Sequence, residues 1–401
     1  MTGGAPAATW RCRWCRGTTG SVVLDLGAQP AADVFPPAGS TGPDVLHPLR
    51  MVLCGGCGLA QLEDDPTDAD EPRGVEPAAL VEQSRAAVAD LVDAGLATPG
   101  ALAAECPSPH GGSWLGVLAG HGLRVAPPEA DPPAGTVDVL VDSLGMMHDA
   151  DQRAALERRA ALLAPEGVLA LHVHPLGTIL RTGAWNALRH GHFAYYSVTW
   201  LVAAARAVGL APVGLWHHGL YGGTVVLVLA RDGSRRVADA TGTPARAAVE
   251  AALADEARAG VVDGARVGTL QADVTRTAAA LAGWVRDHRD DGVVGYGAAS
   301  RAVALLAVAG VTGADLRGVV DASPAKRGLS MPGTAGPDGV RVPVLDPAAL
   351  GDLHPRWVLL FVPDLLDEVR AAHPEVEAAG GRWVVAEPAP AVADPVPLSP
   401  R

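Results

Sequence analysis

Four of the five cysteines lie in two short pairs near the start of the sequence, and no other feature constrains the fold as strongly. Cys12 and Cys15 form one Cys-x-x-Cys pair, and Cys54 and Cys57 form the other. Four thiolates make a tetrahedral set that suits Zn²⁺ at about 2.3 Å per Zn–S bond, with no position left open for a substrate. Two disulfides are the alternative, but a reducing compartment and the strain of a bridge within Cys-x-x-Cys disfavour them. The pattern therefore predicts one structural zinc site, and the remaining Cys106 is expected to be a buried, inert thiol.

Length and composition indicate a multidomain protein without a membrane span. At 401 residues the chain exceeds what a single hydrophobic core usually serves. Its apolar residues, 49% of the total, are largely Ala and Val interrupted by charged residues, Gly and Pro, so no run is long enough for a membrane helix. Residues 1–8 lack the basic and apolar regions of a secretory signal, which predicts a cytoplasmic location. The net charge of −13 argues against a surface that binds nucleic acid.

Strand-like and helix-like segments alternate along the rest of the chain, which predicts an α/β fold with largely parallel sheets. Residues 76–97 carry an apolar stripe at helical spacing, and 244–289 form a long helical pattern that is interrupted around 260–264. Further helices are predicted at 151–163, at 199–208 and from Ser300. Strands are predicted at 137–141, 168–173, 223–229, 293–297, 317–320, 357–362 and 382–386.

Two motifs mark the C-terminal part of the chain. Gly295-Tyr296-Gly297 follows an apolar strand, and Asp321-x-Ser323-Pro324-x-Lys326 comes downstream. Lys326 is the only lysine in the chain, which suggests a position that needs a compact ammonium group rather than a planar guanidinium. Because anions favour helix N-termini, the glycine turn, Arg301 and Lys326 are candidate contacts for a diphosphate.

Together with His190-x-His192-x-x-Tyr195 in the middle of the chain, these motifs and the four cysteines resemble the C-methyltransferases of nucleotide-linked 4-keto-deoxysugars. The resemblance covers nearly the whole chain. It implies an N-terminal zinc module (1–65), a degenerate class I methyltransferase-like Rossmann domain (76–235), a helical connector (244–290) and a C-terminal Rossmann-like domain that helps to hold a nucleotide-sugar (291–401). The substrate-binding residues that it implies are Tyr221, Gly295, Tyr296, Gly297, Arg301, Asp321, Ser323 and Lys326.

The resemblance also implies a catalytic base. His192 falls on the family's catalytic histidine, whereas Arg189 and Gly191 stand where the family has a tyrosine and a glutamate. An imidazole suits the removal of a proton next to a ketone, the step that forms an enolate before a methyl group can be added. The alternative is that the histidines are ordinary polar residues of a loop. The predicted catalytic residues are His192 as base, Tyr195 or Tyr196 near the enolate oxygen, and His190.

The part of the family's site that binds the methyl donor is eroded in this sequence. The turn that should hold S-adenosylmethionine keeps Glu105, Gly111 and Gly112, but Pro107 and Pro109 remove backbone donors from it. The stretch 124–129 replaces the acid expected for the ribose, and the connection from 129 to 137 is far shorter than the family's. We therefore predict that the chain does not bind S-adenosylmethionine in the family's manner. A rearranged pocket around the remaining glutamate and glycines is the alternative.

Three functions are compatible with these residues. The first is an enzyme of deoxysugar or other secondary metabolism that moves a proton next to the ketone of a nucleotide-linked keto-sugar, or of a similar activated ketone, without a methyl donor. The second is a working S-adenosylmethionine-dependent C-methyltransferase. The third is a non-catalytic relative that binds a sugar nucleotide or pairs with an active enzyme.

Overall fold

The computed structural model describes residues 10–67, 76–107, 112–127 and 131–394. They form an N-terminal antiparallel module, a middle α/β domain, a helical connector and a C-terminal α/β domain. This architecture confirms the predicted fold class. In the described ranges, no helix combines the length and the apolarity needed to cross a bilayer.

The N-terminal module is a small antiparallel sheet that also receives a strand from the middle domain. The added strand, Ala194–Tyr195, pairs with Ala60 and Gln61 of the module. Because this strand begins two residues after His192, the predicted catalytic segment is fixed to the zinc module by backbone hydrogen bonds. The module's own strands pair in chain order and are β1 (Gly20–Pro30), β2 (Leu46–Cys54) and β3 (Ala60–Leu62).

The middle domain contains a six-stranded sheet in the order β5-β4-β6-β7-β10-β9. The first four strands are parallel, and the last two extend the sheet in antiparallel pairs because the connection between them is too short for a crossover. The largely parallel sheet that the sequence predicts thus holds for four of six strands. The elements are α1 (Ala78–Asp93), β4 (Leu102–Glu105), α2 (Leu115–Gly120), β5 (Arg124–Val125), β6 (Val137–Ser143), α3 (Gln152–Leu162), β7 (Leu163–Val173), α4 (Leu176–Thr182), β8 (Ala194–Tyr195), α5 (Val198–Ala207), β9 (Leu210–His218) and β10 (Thr224–Arg231).

Side-chain caps explain where the predicted helices of this domain begin. Asp151 accepts a hydrogen bond from the backbone N–H of Ala154 at the start of α3, and Ser197 accepts one from Trp200 at the start of α5. Such caps satisfy N–H groups that the helix itself leaves without partners. Both helices lie within two residues of the predicted ranges 151–163 and 199–208.

The sheet of the middle domain ends at a very short strand. β5 contains only two residues, and both are exposed. Residues 126–136 lead from β5 to β6, and the described part of this connection, which lacks 128–130, contains no helix or strand. A crossover that adds another parallel strand needs a dozen or more residues of its own, so this connection has no room for one.

The helical connector breaks where the sequence predicts it. The helix Pro244–Ala259 starts after Thr243, whose side chain caps it, and stops at Gly260, which has a left-handed backbone (φ +68°). Glycine adopts this conformation without a steric penalty and is therefore the usual residue after a helix end. The connector consists of α6 (Arg235–Asp239), α7 (Pro244–Ala259), α8 (Gly264–Val267) and α9 (Leu270–His288).

The C-terminal domain is a second six-stranded sheet, in the order β13-β12-β11-β14-β15-β16. All its pairs are parallel except the last, in which β16 returns antiparallel to β15. Its elements are β11 (Val293–Tyr296), α10 (Ser300–Ala309), β12 (Val319–Val320), β13 (Val344–Leu345), α11 (Ala349–Leu353), β14 (Trp357–Leu360), α12 (Leu366–Ala372), α13 (Pro374–Ala378), β15 (Arg382–Val385) and β16 (Ala391–Val392).

One hydrophobic core connects the zinc module to the C-terminal domain. Met51 and Leu62 of the module, Leu281 of α9, Leu305 of α10 and Phe361 after β14 belong to the same buried cluster. Burial of such side chains stabilises by roughly 1.5–3 kcal/mol each relative to exposure. The start of α10 is consequently held against the segment that carries His192, so residues from three parts of the chain meet there.

Candidate functional site

The four cysteines of the two pairs meet at one point of the module. Their sulfur atoms all lie within 4.8 Å of one another, and the Sγ–Sγ distances of Cys12–Cys57 and Cys15–Cys54 are both 3.6 Å. A tetrahedron with Zn–S bonds of about 2.3 Å has sulfur–sulfur edges of about 3.8 Å, so the set fits Zn²⁺. Among the described residues this is the one group of three or more clustered His, Cys, Asp or Glu ligands.

Neighbouring N–H groups support the same cluster. Gln61 Nε2 donates to Cys12 Sγ at 3.3 Å, and the backbone N–H of Trp14 donates to the same sulfur at 3.4 Å. Hydrogen bonds from Cys57 and from Gln61 lower the pKa of Cys12 well below its usual range. A thiolate is the form that binds a metal, and hydrogen bonds to the ligand atoms orient such a site. Gln61 also pairs with Ala194 of β8. The residue that donates to Cys12 is therefore paired directly with the predicted catalytic segment.

His192 lies at the junction of the three parts, half-buried. Its Nε2 accepts a hydrogen bond of 2.7 Å from Nε of Arg189. Arg189 is buried, and its Nη1 also donates to Asp33 of the module at 3.1 Å and to Ser300 at the start of α10. One guanidinium therefore joins the zinc module, the middle domain and the C-terminal domain beside the predicted base.

A second histidine, which the sequence analysis missed, contacts the first. The ring of His148 meets that of His192 edge to face, with 4.8 Å between centroids. His148 belongs to the short helical turn after β6, where Leu144 adopts a left-handed backbone (φ +58°) that is uncommon for a bulky residue. The available signal was the position of His148 just beyond the carboxyl end of a parallel strand, where ligands of open α/β sheets bind.

His190 and Gly191 have structural surroundings. His190 is buried, its Nε2 lies 3.2 Å from the carbonyl oxygen of Pro48, and burial lowers its pKa. Gly191 has a left-handed backbone (φ +80°), and its N–H donates to Asp65 at 2.5 Å. A glutamate at this position, as in the family, would therefore be strained here. None of the described hydrogen bonds joins His190 to His192.

Both predicted tyrosines use their hydroxyl groups inside the protein. Tyr195 accepts from the backbone N–H of Arg189 at 3.1 Å, and Tyr196 donates to Oε1 of Gln152 at 2.6 Å. Burial raises the pKa of each hydroxyl. The ring centroid of Tyr195 is 6.4 Å from that of His192, whereas Tyr196 stacks on Trp200 in a different core cluster. The structure thus places Tyr195, and not Tyr196, beside His192.

The glycine turn of the C-terminal domain is held by Asp321 and Lys326. Asp321 Oδ2 accepts from the backbone N–H of Ala298 at 2.8 Å, and Lys326 Nζ donates to the carbonyl oxygen of Ala298 at 2.7 Å. Lys326 is buried against Asp321 and the ring of Phe35. The single lysine therefore orders the turn and contacts the zinc module, which accounts for a compact cation at this position.

The other residues of the two motifs are also packed. Gly295 has no room for a Cβ, which would lie 2.7 Å from Phe361, and Gly297 has a left-handed backbone (φ +91°) and donates its N–H to Val320. The hydroxyl of Tyr296 lies 3.2 Å from Nε2 of His373, and burial raises the pKa of Tyr296 to about 12. Ser323 is buried, and its N–H donates to Asp321.

Tyr221 and Arg301 meet in a polar cluster between the middle and C-terminal domains. The guanidinium of Arg301 lies over the ring of Tyr221 at 5.3 Å, and the N–H of Tyr221 donates to Asp364 at 3.1 Å. Nearby, burial and the charge of Arg301 lower the pKa of His174 to about 3. Burial raises the pKa of Glu387, whose carboxylate accepts from Asn186 at 2.9 Å. The sequence analysis selected Tyr221 and Arg301 for the substrate site. It did not select His174 or Glu387, which belong to no motif.

The predicted cofactor turn is described only in part, because Gly111 lies outside the described residues. Glu105 is the last residue of β4 and accepts hydrogen bonds from Ser113 Oγ at 2.6 Å and from the backbone N–H of Trp114 at 3.1 Å, just before α2. Burial raises the pKa of Glu105. Gly112 has a left-handed backbone, and a Cβ there would lie 2.3 Å from the carboxylate of Glu76. Two carboxylates therefore approach the described part of this turn.

A buried ion pair supports the turn that carries His148. Nε of Arg159 donates to Oδ2 of Asp142 at 2.6 Å. Oδ1 of Asp142 accepts from the backbone N–H groups of Gly145 and Met146. Burial alone would lower the pKa of Arg159, but the charge of Asp142 raises it. Both side chains are almost fully buried.

Replacing Asp142 by Ala should destabilise the protein by about 3–5 kcal/mol, because the buried Arg159 would keep only the partly exposed Asp149 as a carboxylate partner and the N–H groups of Gly145 and Met146 would lose their acceptor. Urea denaturation followed by circular dichroism would measure this loss. The control is Glu157→Ala, which removes an exposed pair with Arg153 and should change the stability by less than about 1 kcal/mol. Equal effects of the two substitutions would contradict the assignment of a structural role to the buried pair.

Comparison with known families agrees with this arrangement. Residues 12–70 match a family model described as a zinc binding domain, and residues 219–388 match the model of the C-methyltransferase C-terminal domain. The two matches support the resemblance of the chain to C-methyltransferases that combine these two domains. It is similar to the C-methyltransferase NovU of Streptomyces niveus, with 26% identity over 419 aligned positions that cover 95% of this chain and 96% of that protein.

Solved methyltransferases resemble part of the chain. The 1,6-didemethyltoxoflavin-N1-methyltransferase of Burkholderia thailandensis is 14% identical and covers 45% of this chain and 95% of its own, with a TM-score of 0.28. A methyltransferase of Thermotoga maritima is 13% identical and covers 38% and 91%, also with a TM-score of 0.28.

Proposed function

We propose that this protein binds a nucleotide-linked keto-sugar, or a similarly activated ketone, and moves the proton next to its ketone with His192 as the general base, without transferring a methyl group. The observation that carries the proposal is the position of His192 beside Arg189, whose guanidinium contacts all three folded parts, while the strand β5 at the edge of the middle domain's sheet is only two residues long. Structural zinc at the four cysteines is part of the same proposal.

The surroundings of the cofactor turn support the absence of a methyl donor. The carboxylate of Glu105 is engaged by the start of α2, and that of Glu76 stands against Gly112, where a ligand would have to approach the backbone. The connection 126–136 leaves no room for a further strand and helix beside β5. A cofactor needs a concave, largely preformed site, and these features reduce the space for such a site in the middle domain.

The proposed chemistry needs no second substrate. His192 takes the proton from the carbon next to the ketone, and the electron pair of that C–H bond moves to give the enolate. Return of a proton from the imidazolium, after exchange with solvent, to the same face of that carbon restores the ketone with its original configuration, and delivery of a proton from solvent to the opposite face gives the epimer. The net reaction is exchange or epimerisation, and all atoms balance. General-base catalysis of this kind contributes typically 10²–10⁴-fold to the rate.

Two measurements on the purified protein test the proposal. Calorimetric titration with S-adenosylhomocysteine should give no binding, and a thymidine-diphospho-4-keto-6-deoxysugar in deuterated water should gain deuterium next to its ketone only when the protein is present. A dissociation constant below 10 μM, about −7 kcal/mol, would instead establish the second candidate, a working C-methyltransferase. Protein-dependent deuterium without such binding would support proton transfer alone.

A non-catalytic role is the other candidate that a specific observation favours. The hydrogen bond from Arg189 occupies the Nε2 lone pair of His192, and a histidine whose lone pair is occupied cannot accept a proton there. If this arrangement persists with substrate, the protein would bind a sugar nucleotide without turnover. Calorimetric binding of the nucleotide-sugar with no deuterium uptake would favour this role.

A further inference from the structure

We propose that Arg189 is a catalytic residue whose guanidinium passes from His192 to the ketone oxygen of the substrate and there stabilises the enolate. The proposal rests on the proton transfer at His192 proposed above and names the group that receives the charge that this transfer creates. The family has a tyrosine at this position, so the role belongs to this chain's own residue.

The resting contact fixes the protonation of the histidine. A guanidinium carries only N–H donors and stays protonated in proteins, so Nε2 of His192 must be the acceptor in the 2.7 Å hydrogen bond. His192 is therefore neutral, with its proton on Nδ1, while this contact stands. Nε2 is then the one nitrogen with a lone pair for a proton, and it becomes available only when the N–H of Arg189 moves to another acceptor.

The substrate itself provides that acceptor. The carbon that loses the proton is bonded directly to the carbonyl carbon, so a substrate with this C–H at Nε2 also brings its ketone oxygen beside Arg189. Charge-assisted hydrogen bonds are roughly twice as strong as neutral ones, and the oxygen gains negative charge as the proton leaves. The exchange of partners is therefore favoured most in the transition state, which is the condition for catalysis.

The ring of His148 contacts His192, and the other polar groups of the predicted site are held by contacts of their own. The hydroxyl of Tyr195 is bound to the backbone of Arg189, and that of Tyr196 is bound to Gln152. Lys326 is buried at the glycine turn. Meanwhile Asp33 and Ser300 hold Nη1 of Arg189 from the other two parts of the chain, so the guanidinium is anchored at one end while its Nε faces the base.

The test removes the donor and keeps the buried charges balanced. The double variant Arg189→Met with Asp33→Asn has no guanidinium and no orphaned carboxylate, and we expect deuterium exchange to fall by about 10²–10³-fold, with the loss in kcat rather than in KM. The single variant Arg189→Lys should recover part of this rate. The matched control is Arg341→Met with Asp44→Asn, a buried pair that joins the C-terminal domain to the zinc module away from His192; its exchange rate should remain that of the wild type.

Nitrogen-15 NMR of the histidine side chains gives a readout that does not depend on turnover. In the wild type, His192 should appear with Nδ1 protonated and Nε2 as acceptor, and the Arg189→Met double variant should change this signal while the Arg341→Met control does not. A wild-type His192 protonated at Nε2, or wild-type exchange that survives loss of the guanidinium, would overturn the role of Arg189 and leave the proposed function standing. No exchange by the wild type would overturn both.

Discussion

Removal of zinc is expected to unfold the N-terminal module and to abolish any activity at the adjoining site. The module has three described strands of its own, and its buried apolar side chains belong to a core shared with the connector and the C-terminal domain, so the metal would be the cross-link that joins its two Cys-x-x-Cys turns. Zinc binding contributes about 10–16 kcal/mol in zinc-finger peptides, which is comparable to the whole stability of a typical domain, about 5–15 kcal/mol. The module pairs with β8 two residues after His192, so its unfolding should also release the predicted base.

Elemental analysis should find one zinc per chain, and Cys12→Ser should lower both the zinc content and the melting temperature. Cys106→Ser is the matched control, because Cys106 is a buried cysteine outside the cluster and should leave the zinc content unchanged. Addition of a strong chelator to the wild type should reproduce the Cys12→Ser melting curve. A stable, folded protein purified without stoichiometric zinc would contradict this prediction.

The sequence predicted the parts of the fold that depend on local patterns. The Cys-x-x-Cys spacing located the cluster, and the helix-like stretches 151–163 and 199–208 correspond to α3 and α5. The antiparallel hairpin of β9 and β10 was harder to predict, since an apolar strand looks the same in either direction. Its orientation follows from the length of the connection between the strands, which becomes evident only when both strands are located.

The sequence was less informative about the direction in which charged side chains point. Lys326 and Asp321 were expected to face a nucleotide-sugar, because motifs near a glycine turn often bind anions. In the structure both bind the backbone of Ala298, and a motif cannot distinguish an outward charge from one that holds the turn itself. The contacts of Arg189 with Asp33 and Ser300 join residues far apart in the chain, and no local pattern predicts such a meeting.

His192→Ala is expected to reduce deuterium exchange into a 4-keto-sugar by about 10²–10⁴-fold, the usual contribution of a general base. The half-buried ring contacts Arg189 and His148 and is not part of a tightly packed core, so the fold should survive the substitution. Circular dichroism and zinc content would verify that it does. His121→Ala is the control, because His121 is exposed at the end of α2 and should not affect exchange.

His148→Ala separates the two histidines that the structure brings together. If His192 is the base, loss of the neighbouring ring should alter the orientation of His192 and lower the rate less than His192→Ala does. If the order is reversed, His148 takes the proton, and the neutral His192 held by Arg189 acts as its partner. Exchange that persists in both variants would place the chemistry elsewhere and reject His192 as the base.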